Sequence, residues 1–374
     1  PPAGDGTSPG LFQQPDLAST LERLADAGPR DFYEGDVACE IAAGIGELGG
    51  ILTLDDLTQY SADIVSPLRS AYRGVSVCVP PFACAGPTSI ATLNTYRHFE
   101  PTTLGYESPE RLHAYISCSR LARADRMAYF ADPEKVEVPW EGMASSGYAL
   151  ERASLIGPDT VPEFAPGDPW DYQTGSGHGR SSGHHGPEGS TTHLCAADAD
   201  GNMVSLTNTI MAGFGSGVVP RGTGVVMNNG MMWFNPVPGL PNSVSPLAKG
   251  LNNMTPAVVL DGDRPLMAVG ATGGRRITNA VTQIISNVVD HDMGIQAAIA
   301  APRVDCSTDT TDIDDRFPSS VVLALPDRGH QVNPLRLTFW AGFGTFASPA
   351  GILRADGELR GGVDPFHGAE ARGV

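Results

Sequence analysis

The chain has 374 residues, 41% of them hydrophobic, which is enough apolar material for a sizeable core. Its net charge of −18, from 42 acidic and 24 basic residues, disfavours nucleic acid and anionic membrane as partners, because phosphate binding needs clustered Lys and Arg. No apolar run reaches the roughly 20 residues that span a bilayer, so a protein acting on small molecules is expected.

At ~100–200 residues per domain, the length allows two or three domains or one large α/β unit. The cysteines (Cys39, Cys78, Cys84, Cys118, Cys195 and Cys306) form no CxxC pair, which argues against zinc and thioredoxin-type chemistry and for buried free thiols. No basic-plus-apolar leader follows Pro1; the compartment stays open, with a lean to cytoplasm over secretion.

Residues 1–10 are rich in Pro and Gly and read as disordered. Leu17 to Leu48 carries helical periodicity, broken at Gly28-Pro29 and stopped by Gly49-Gly50. Thr53 to Leu57 has the look of a capped short helix. Ala71 to Pro80 alternates as a strand, and helices are expected at 87–98 and 108–130. Residues 157–190, loaded with Gly, Pro, Ser, Asp and His, read as a long flexible linker. Its histidines are candidate metal ligands, but a loop without fixed geometry makes a poor site, and no metal or organic cofactor is implied.

Order returns at Thr191. Leu194–Ala197 and Met203–Thr209 read as strands joined by the turn Asp198-Ala199-Asp200-Gly201-Asn202. Gly224 to Asn228 reads as another strand. Val258–Leu260 and Leu266–Val269 make a second hairpin, and Gly273-Gly274 opens a helix through Ile277, Val281, Ile284, Ile285 and Val288. Strand pairs alternating with amphipathic helices suggest stacked sheets with helices outside.

A linker running straight into Ser190-Thr191-Thr192-His193 suggests a processed junction. Cleavage before Thr191 frees an α-amine whose reference pKa is about 7.7–8.0, a base able to take the hydroxyl proton of the same residue. An ordinary strand start is the plain alternative. The Gly273-Gly274 pair offers bare backbone N–H groups at a positive helix end, which suits an oxyanion hole. A tight turn is the plain alternative there, and a Walker loop fails because no Lys-Ser/Thr follows.

Thr191-Thr192-His193, Asp198 to Asn202, Phe214-Gly215-Ser216-Gly217, Asn228-Asn229 and Gly273-Gly274 fall in an order that resembles the small subunit of the γ-glutamyltranspeptidase family. Gly49 to Leu57, Pro67-Leu68, Tyr72-Arg73-Gly74, Ala124-Asp125-Arg126 and Asp132-Pro133 resemble the second half of its large subunit, and Ala301-Pro302-Arg303 and Asp364-Pro365 also fit. The resemblance implies an α/β (α+β) fold, the four-layer αββα sandwich of N-terminal-nucleophile hydrolases. Residues 1–190 would be large-subunit-like and 191–374 small-subunit-like, together one domain. The N-terminal part of the large subunit, with an arginine for the substrate carboxylate, would be missing. The resemblance also implies self-cleavage between Ser190 and Thr191 into a heterodimer of the chain's own fragments. It assigns Thr191 as nucleophile, Thr209 as its hydrogen-bond partner, and Gly273 and Gly274 as the oxyanion hole.

Departures fall on substrate recognition. Met211 stands where the family has an asparagine, and Asn252-Asn253 where it has a serine pair. No carboxylate follows Asn228-Asn229; the segment reads Gly230-Met231-Met232-Trp233-Phe234. Met211 and Trp233 serve an ammonium poorly, since a cation–π contact gives only about 0.5–2 kcal/mol. An apolar acyl group suits them better, and core packing is the plain alternative. Three readings result: an autoprocessing threonine amidohydrolase or acyltransferase with water or an amine as acceptor, a true glutathione γ-glutamyl hydrolase or transferase, and an unprocessed, non-catalytic homologue.

Overall fold

The computed structural model describes residues 12–160, 162–174, 191–336 and 346–373. The expected disorder of residues 1–10, most of the histidine-rich linker, and Ser190 lie outside them. The chain divides into two units, one of residues up to Ile64 with Ala212–Asn229, the other of Val65–Met211 with the remainder from Gly230.

The smaller unit holds α1 (Pro15–Ala27), α2 (Asp31–Glu34), α3 (Asp36–Glu47) and α4 (Leu54–Thr58). The break expected at Gly28-Pro29 is present, and Gly35, in extended conformation, adds a second. At α4, Asp56 N–H donates to Thr53 Oγ1 at 3.3 Å and Thr53 N–H donates to Asp56 Oδ2 at 2.8 Å, the expected cap. Gly224–Asn228 is not a strand. Gly224 has φ +63°, off the extended region, and its backbone lies against Leu17. Met227 N–H donates instead to Val218 O at 2.9 Å, closing a loop, and Thr20 Oγ1 donates to Thr223 O at 2.8 Å.

The larger unit is built on a six-stranded sheet of order β1-β2-β5-β6-β10-β11, antiparallel throughout. Its strands are β1 (Leu68–Tyr72), β2 (Val75–Val79), β5 (Ala257–Asp261), β6 (Arg264–Thr272), β10 (Ser348–Ala355) and β11 (Glu358–Val363). The single strand expected over Ala71–Pro80 is therefore a hairpin. Arg73 and Gly74 both take positive φ, the geometry of a two-residue turn whose twist matches the flanking strands.

Helices α5 (Gly86–Tyr96), α6 (Pro101–Leu104), α7 (Pro109–Tyr129), α8 (Trp140–Ala144), α9 (Ser146–Ser154), α10 (Ile277–His291), α11 (Ile295–Ala300) and α12 (Ser319–Asp327) complete the helical part. The core lies between the sheet and α5, α7 and α10. Val77, Val79, Val259, Met267 and Val269 from the strands meet Ile90, Leu93, Ile116, Val281 and Ile284 from the helices, all buried. A side sheet joins β7 (Val304–Asp305), β8 (Thr311–Asp314) and β9 (Val332–Leu335).

The sheet's other face carries a two-stranded ribbon, β3 (Thr191–Ala197) with β4 (Met203–Thr209). Helices, sheet and ribbon are successive layers, the α–β–β part of the expected sandwich. Alternation turns Thr191, His193, Cys195, Ser205, Thr207 and Thr209 to one face, and leaves Leu194, Val204 and Leu206 exposed on the other. Ser205 Oγ ties the first face down, donating to Val269 O at 2.9 Å.

Residues 162–174, expected to be unstructured linker, are folded. A 3-10 turn at Pro169–Tyr172 buries Trp170, and Gly167 N–H donates to Asp125 Oδ1 at 2.8 Å. Phe164, Trp170 and Tyr172 give this stretch apolar surface to bury, which its glycines and prolines mask in composition. All six cysteines are unpaired; Cys84, Cys118 and Cys306 are buried, whereas Cys39 is exposed. Among the described residues no helix is long and apolar enough to cross a membrane.

A buried histidine pair links α7 to the loop before β9. His113 Nε2–H donates to Gly157 O at 2.8 Å, so His113 Nδ1 accepts from His330 Nε2–H at 2.8 Å. Burial, then the neighbouring His113, Arg120 and Arg328, push His330 down to about 3. A histidine depressed in the fold stays neutral while its unfolded counterpart takes a proton, so stability is lost as pH falls from about 6.5 towards 3. Asp125, held up at about 6 by burial despite Arg152, acts in the opposite sense. The prediction is therefore differential: His330→Gln should remove roughly 2 kcal/mol of the stability loss between pH 7 and 5, read by denaturant unfolding.

Candidate active site

Thr191 opens β3 and Thr209 closes β4, and the ladder register sets them directly opposite each other. Thr191 Oγ1 donates to Thr209 Oγ1 at 3.3 Å. Thr209 Oγ1 also accepts Met211 N–H at 2.9 Å, which holds the chain leaving β4 against the pair. Both threonines line a small cavity with Met211, Trp233, Asn253, Met254, Gly274 and Ile277. No acidic or basic side chain is among these lining residues.

The register depends on what sits beneath β3. His193 lies over Gly270 of β6, where a Cβ would come within 2.2 Å of the imidazole. His193 Nδ1 meets Thr207 Oγ1 at 3.0 Å and Nε2 meets Cys195 Sγ at 3.3 Å. Burial pushes His193 down to about 4 and the Cys195 thiol up to about 12, so both are neutral near pH 7. They serve as spacers between the ribbon and the sheet, one and two turns of alternation from Thr191.

Gly273 and Gly274 sit where β6 runs into α10. Their φ values are +126° and +62°, and Gly273 packs with its Cα facing Ala347, leaving only 2.7 Å between that Ala347 Cα and an added Cβ. The turn lies at the N-terminal, electropositive end of a 15-residue helix.

The recognition residues separate. Met211 is buried at φ +79°, a conformation that favours Asn or Gly, so this backbone keeps a shape unsuited to its own side chain. Trp233 and Asn253 reach the cavity. Asn252 does not line it; its Nδ2 donates to Ala83 O at 3.0 Å and its Oδ1 accepts Met254 N–H at 3.0 Å. Sequence reasoning missed Met254 and Ile277, which carry no chemical signature. It also gave no role to Arg126, which donates to Asn252 O at 2.5 Å and to Cys84 O at 2.7 Å and so fixes the Asn252–Asn253 segment. No cluster of three potential metal-ligating side chains occurs among the described residues.

A sequence model of the family described as Gamma-glutamyltranspeptidase matches residues 7–374. The chain belongs to that family. It is 33% identical to the glutathione hydrolase proenzyme of Bacillus subtilis subsp. natto over 323 residues, 85% of this chain and 55% of that protein. It is also 33% identical to the acylase ACY 1 proenzyme of Pseudomonas sp. (strain V22), over 88% of this chain and 57% of that protein. The solved cephalosporin acylase from Bacillus halodurans superposes with a TM-score of 0.84 at 30% identity, covering 97% of this chain and 63% of that one. The fold is thus that of N-terminal-nucleophile acylases, and the chain spans a little over half the length of the curated relatives quoted.

The Gly273 turn is testable apart from any activity. Gly273→Ala should destabilise the protein by about 2 kcal/mol or more, since it adds a backbone clash to a left-handed φ. Gly262→Ala, at φ +59° with open space around it, should cost only the conformational part, about 1 kcal/mol. Denaturant unfolding of the two variants gives the difference.

Proposed function

We propose that this γ-glutamyltranspeptidase-family chain is a self-processing threonine amidohydrolase, cleaved between Ser190 and Thr191 and acting through an acyl-enzyme on Thr191. The observation that carries the reading is the Thr191–Thr209 hydroxyl contact at 3.3 Å in a cavity that also presents Gly274. The relatives named above are called proenzymes, which supports processing.

In this reading, Thr191 Oγ attacks the amide carbonyl while its proton passes to the freed α-amine of Thr191, directly or through water. Thr209 orients the attacking oxygen. The oxyanion is received by the N–H groups at Gly273–Gly274 and the positive end of α10. Collapse of the tetrahedral intermediate breaks the C–N bond, and the leaving amine takes the proton from the α-ammonium. Water, or an acceptor amine, then attacks the Thr191 ester with the α-amine again as base, releasing the acid or a new amide. The two fragments stay together as a heterodimer, because β2 of the first remains paired with β5 of the second, and α5 and α7 share a core with α10.

The acyl group is proposed to differ from a γ-glutamyl head. Met211 and Trp233 present no carboxylate to an α-ammonium, and no acidic residue is among those lining the cavity. A glutathione hydrolase is the second reading, favoured by the names of several relatives. Turnover of a γ-glutamyl anilide by the processed protein would restore it.

Intact-mass analysis should find two fragments meeting at Ser190/Thr191, and a single uncleaved chain in Thr191→Ala. A wild-type chain that stays intact on prolonged incubation would overturn the proposal. Amide turnover by processed protein should rise with pH through about 7.7–8.0, as the α-ammonium of Thr191 loses its proton.

A further inference from the structure

Two further cavities follow the Thr191 cavity along α7. The middle one, of about 60 Å3, shares Trp233 and Asn253 with the Thr191 cavity. The outer one, of about 380 Å3, shares Arg123 and Met127 with the middle one. Helical spacing makes the succession. Ser119, Arg123 and Met127 recur at every fourth residue, and this stripe borders the middle cavity. Arg120, Ala124 and Ala128 form the neighbouring stripe, which borders the outer cavity. The chain after β7 repeats the order, with Ser307 at the middle cavity and Thr308 and Asp309 at the outer one.

The outer cavity has largely apolar walls. Ala124, Met127 and Ala128 of α7 share it with Phe164 and Pro166 of the folded stretch before the linker. Its charged lining groups are already engaged. Arg120 Nη2 donates to Thr308 O and Thr311 Oγ1, each at 3.1 Å, and to Asp309 O, while its guanidinium lies over the Phe164 ring at 5.2 Å. Arg123 has a partner as well, and the Asp309 carboxylate offsets its charge. What remains for a ligand is aromatic, thioether and aliphatic surface. Small-molecule sites have this kind of lining and a volume of about 300–1,000 Å3. A single water needs roughly 10–15 Å3, so the outer cavity has room for a ring and the middle one for a slender chain. Met127 stands on the boundary between them. Its unbranched side chain has three rotatable bonds and adapts to a chain that crosses.

We propose that the outer cavity is a distal subsite for the acyl donor, in which Phe164, Met127 and Ala124 hold an aryl group at the far end of a long acyl chain. The preferred substrates are amides of alkanoic acids that end in an aromatic ring. Their chain crosses the middle cavity past Trp233 and Asn253, and their carbonyl lies at Thr191. The subsite serves the acyl half rather than the amine for a chemical reason. The acyl group stays on the protein through both steps, whereas the amine must depart and be replaced by water. Remote binding of the half that stays holds the carbonyl in place during attack. The catalytic part of the inference rests on the reading of Thr191 as nucleophile; the apolar site itself does not.

Calorimetric titration tests the site apart from catalysis, with 6-phenylhexan-1-ol as probe and hexan-1-ol as control. Both are neutral and offer no carbonyl to Thr191. Wild-type protein should bind the phenyl alcohol at one saturable site, at least tenfold tighter than the plain alcohol. Ala124→Trp, which fills the outer cavity, and Phe164→Ala, which removes its ring, should each weaken that binding at least fivefold. Equal binding of the two alcohols by folded wild-type protein overturns the proposal. So do Ala124→Trp and Phe164→Ala variants of unchanged Tm that both bind as wild type does. With p-nitroanilide donors, 6-phenylhexanoyl should show a KM at least tenfold below hexanoyl, and Ala124→Trp should erase that difference with kcat for the phenyl donor largely retained. Binding of the phenyl alcohol without turnover of any donor would sink the Thr191 reading and keep the apolar site. Turnover by processed protein with equal KM for the two donors would sink the distal subsite alone.

Discussion

The pairing of β3 with β4 is the constraint on which the rest of this site depends. Two strands of seven residues meet in unbroken antiparallel register, so the first residue of one faces the last residue of the other. A slip by one residue would turn Thr191 to the exposed face and bring Thr192 inward. What prevents the slip is the sheet below. Gly270 leaves a hollow that His193 fills, and Ser205 bonds the Val269 carbonyl. Both contacts are specific to the observed face.

The same sheet sets the opposite wall of the cavity. β6 passes under the ribbon and ends at Gly273, and the chain turns there into α10. One strand therefore supports Thr191 from below and presents the glycine turn beside it. Ala347, just before β10, lies close enough to the turn that only glycine fits at 273. Rigidity here comes from close backbone approach, with polar side chains of the ribbon's inner face held neutral by burial.

Charge is distributed to match. The protein carries a net charge of −18, yet among the described residues the cavity beside Trp233 and Asn253 is lined by three arginines and no acid. The Thr191 cavity itself is uncharged in its lining side chains. In the proposed reaction, the N–H groups at Gly273–Gly274 would receive the oxyanion. Arg126 borders the arginine-lined cavity and, through the Asn252 carbonyl, fixes the segment that carries Asn253, which lines both cavities.

The sequence by itself determined the ribbon, the helices α1, α3, α4, α5, α7 and α10, and the order of the motifs around Thr191. These follow from alternation, periodicity and capping residues such as Thr53 and Asp56, which act over a few neighbours. It also exposed the departures at Met211 and Trp233, because these are changes of residue type. Tertiary structure decided what local signals do not encode. The hairpin at Arg73-Gly74 was hidden in a longer alternating run, and Gly224–Asn228 has strand-like residues but its backbone bonds are spent closing a loop. Residues 162–174 fold because Trp170 finds a buried place, which composition does not reveal. Asn252 and Asn253 are chemically identical neighbours, and only packing turns one to Ala83 and the other to the cavity. The cavity bordered by residues 123, 126 and 275 joins positions distant in sequence, so it exists only once α7 packs beside α10.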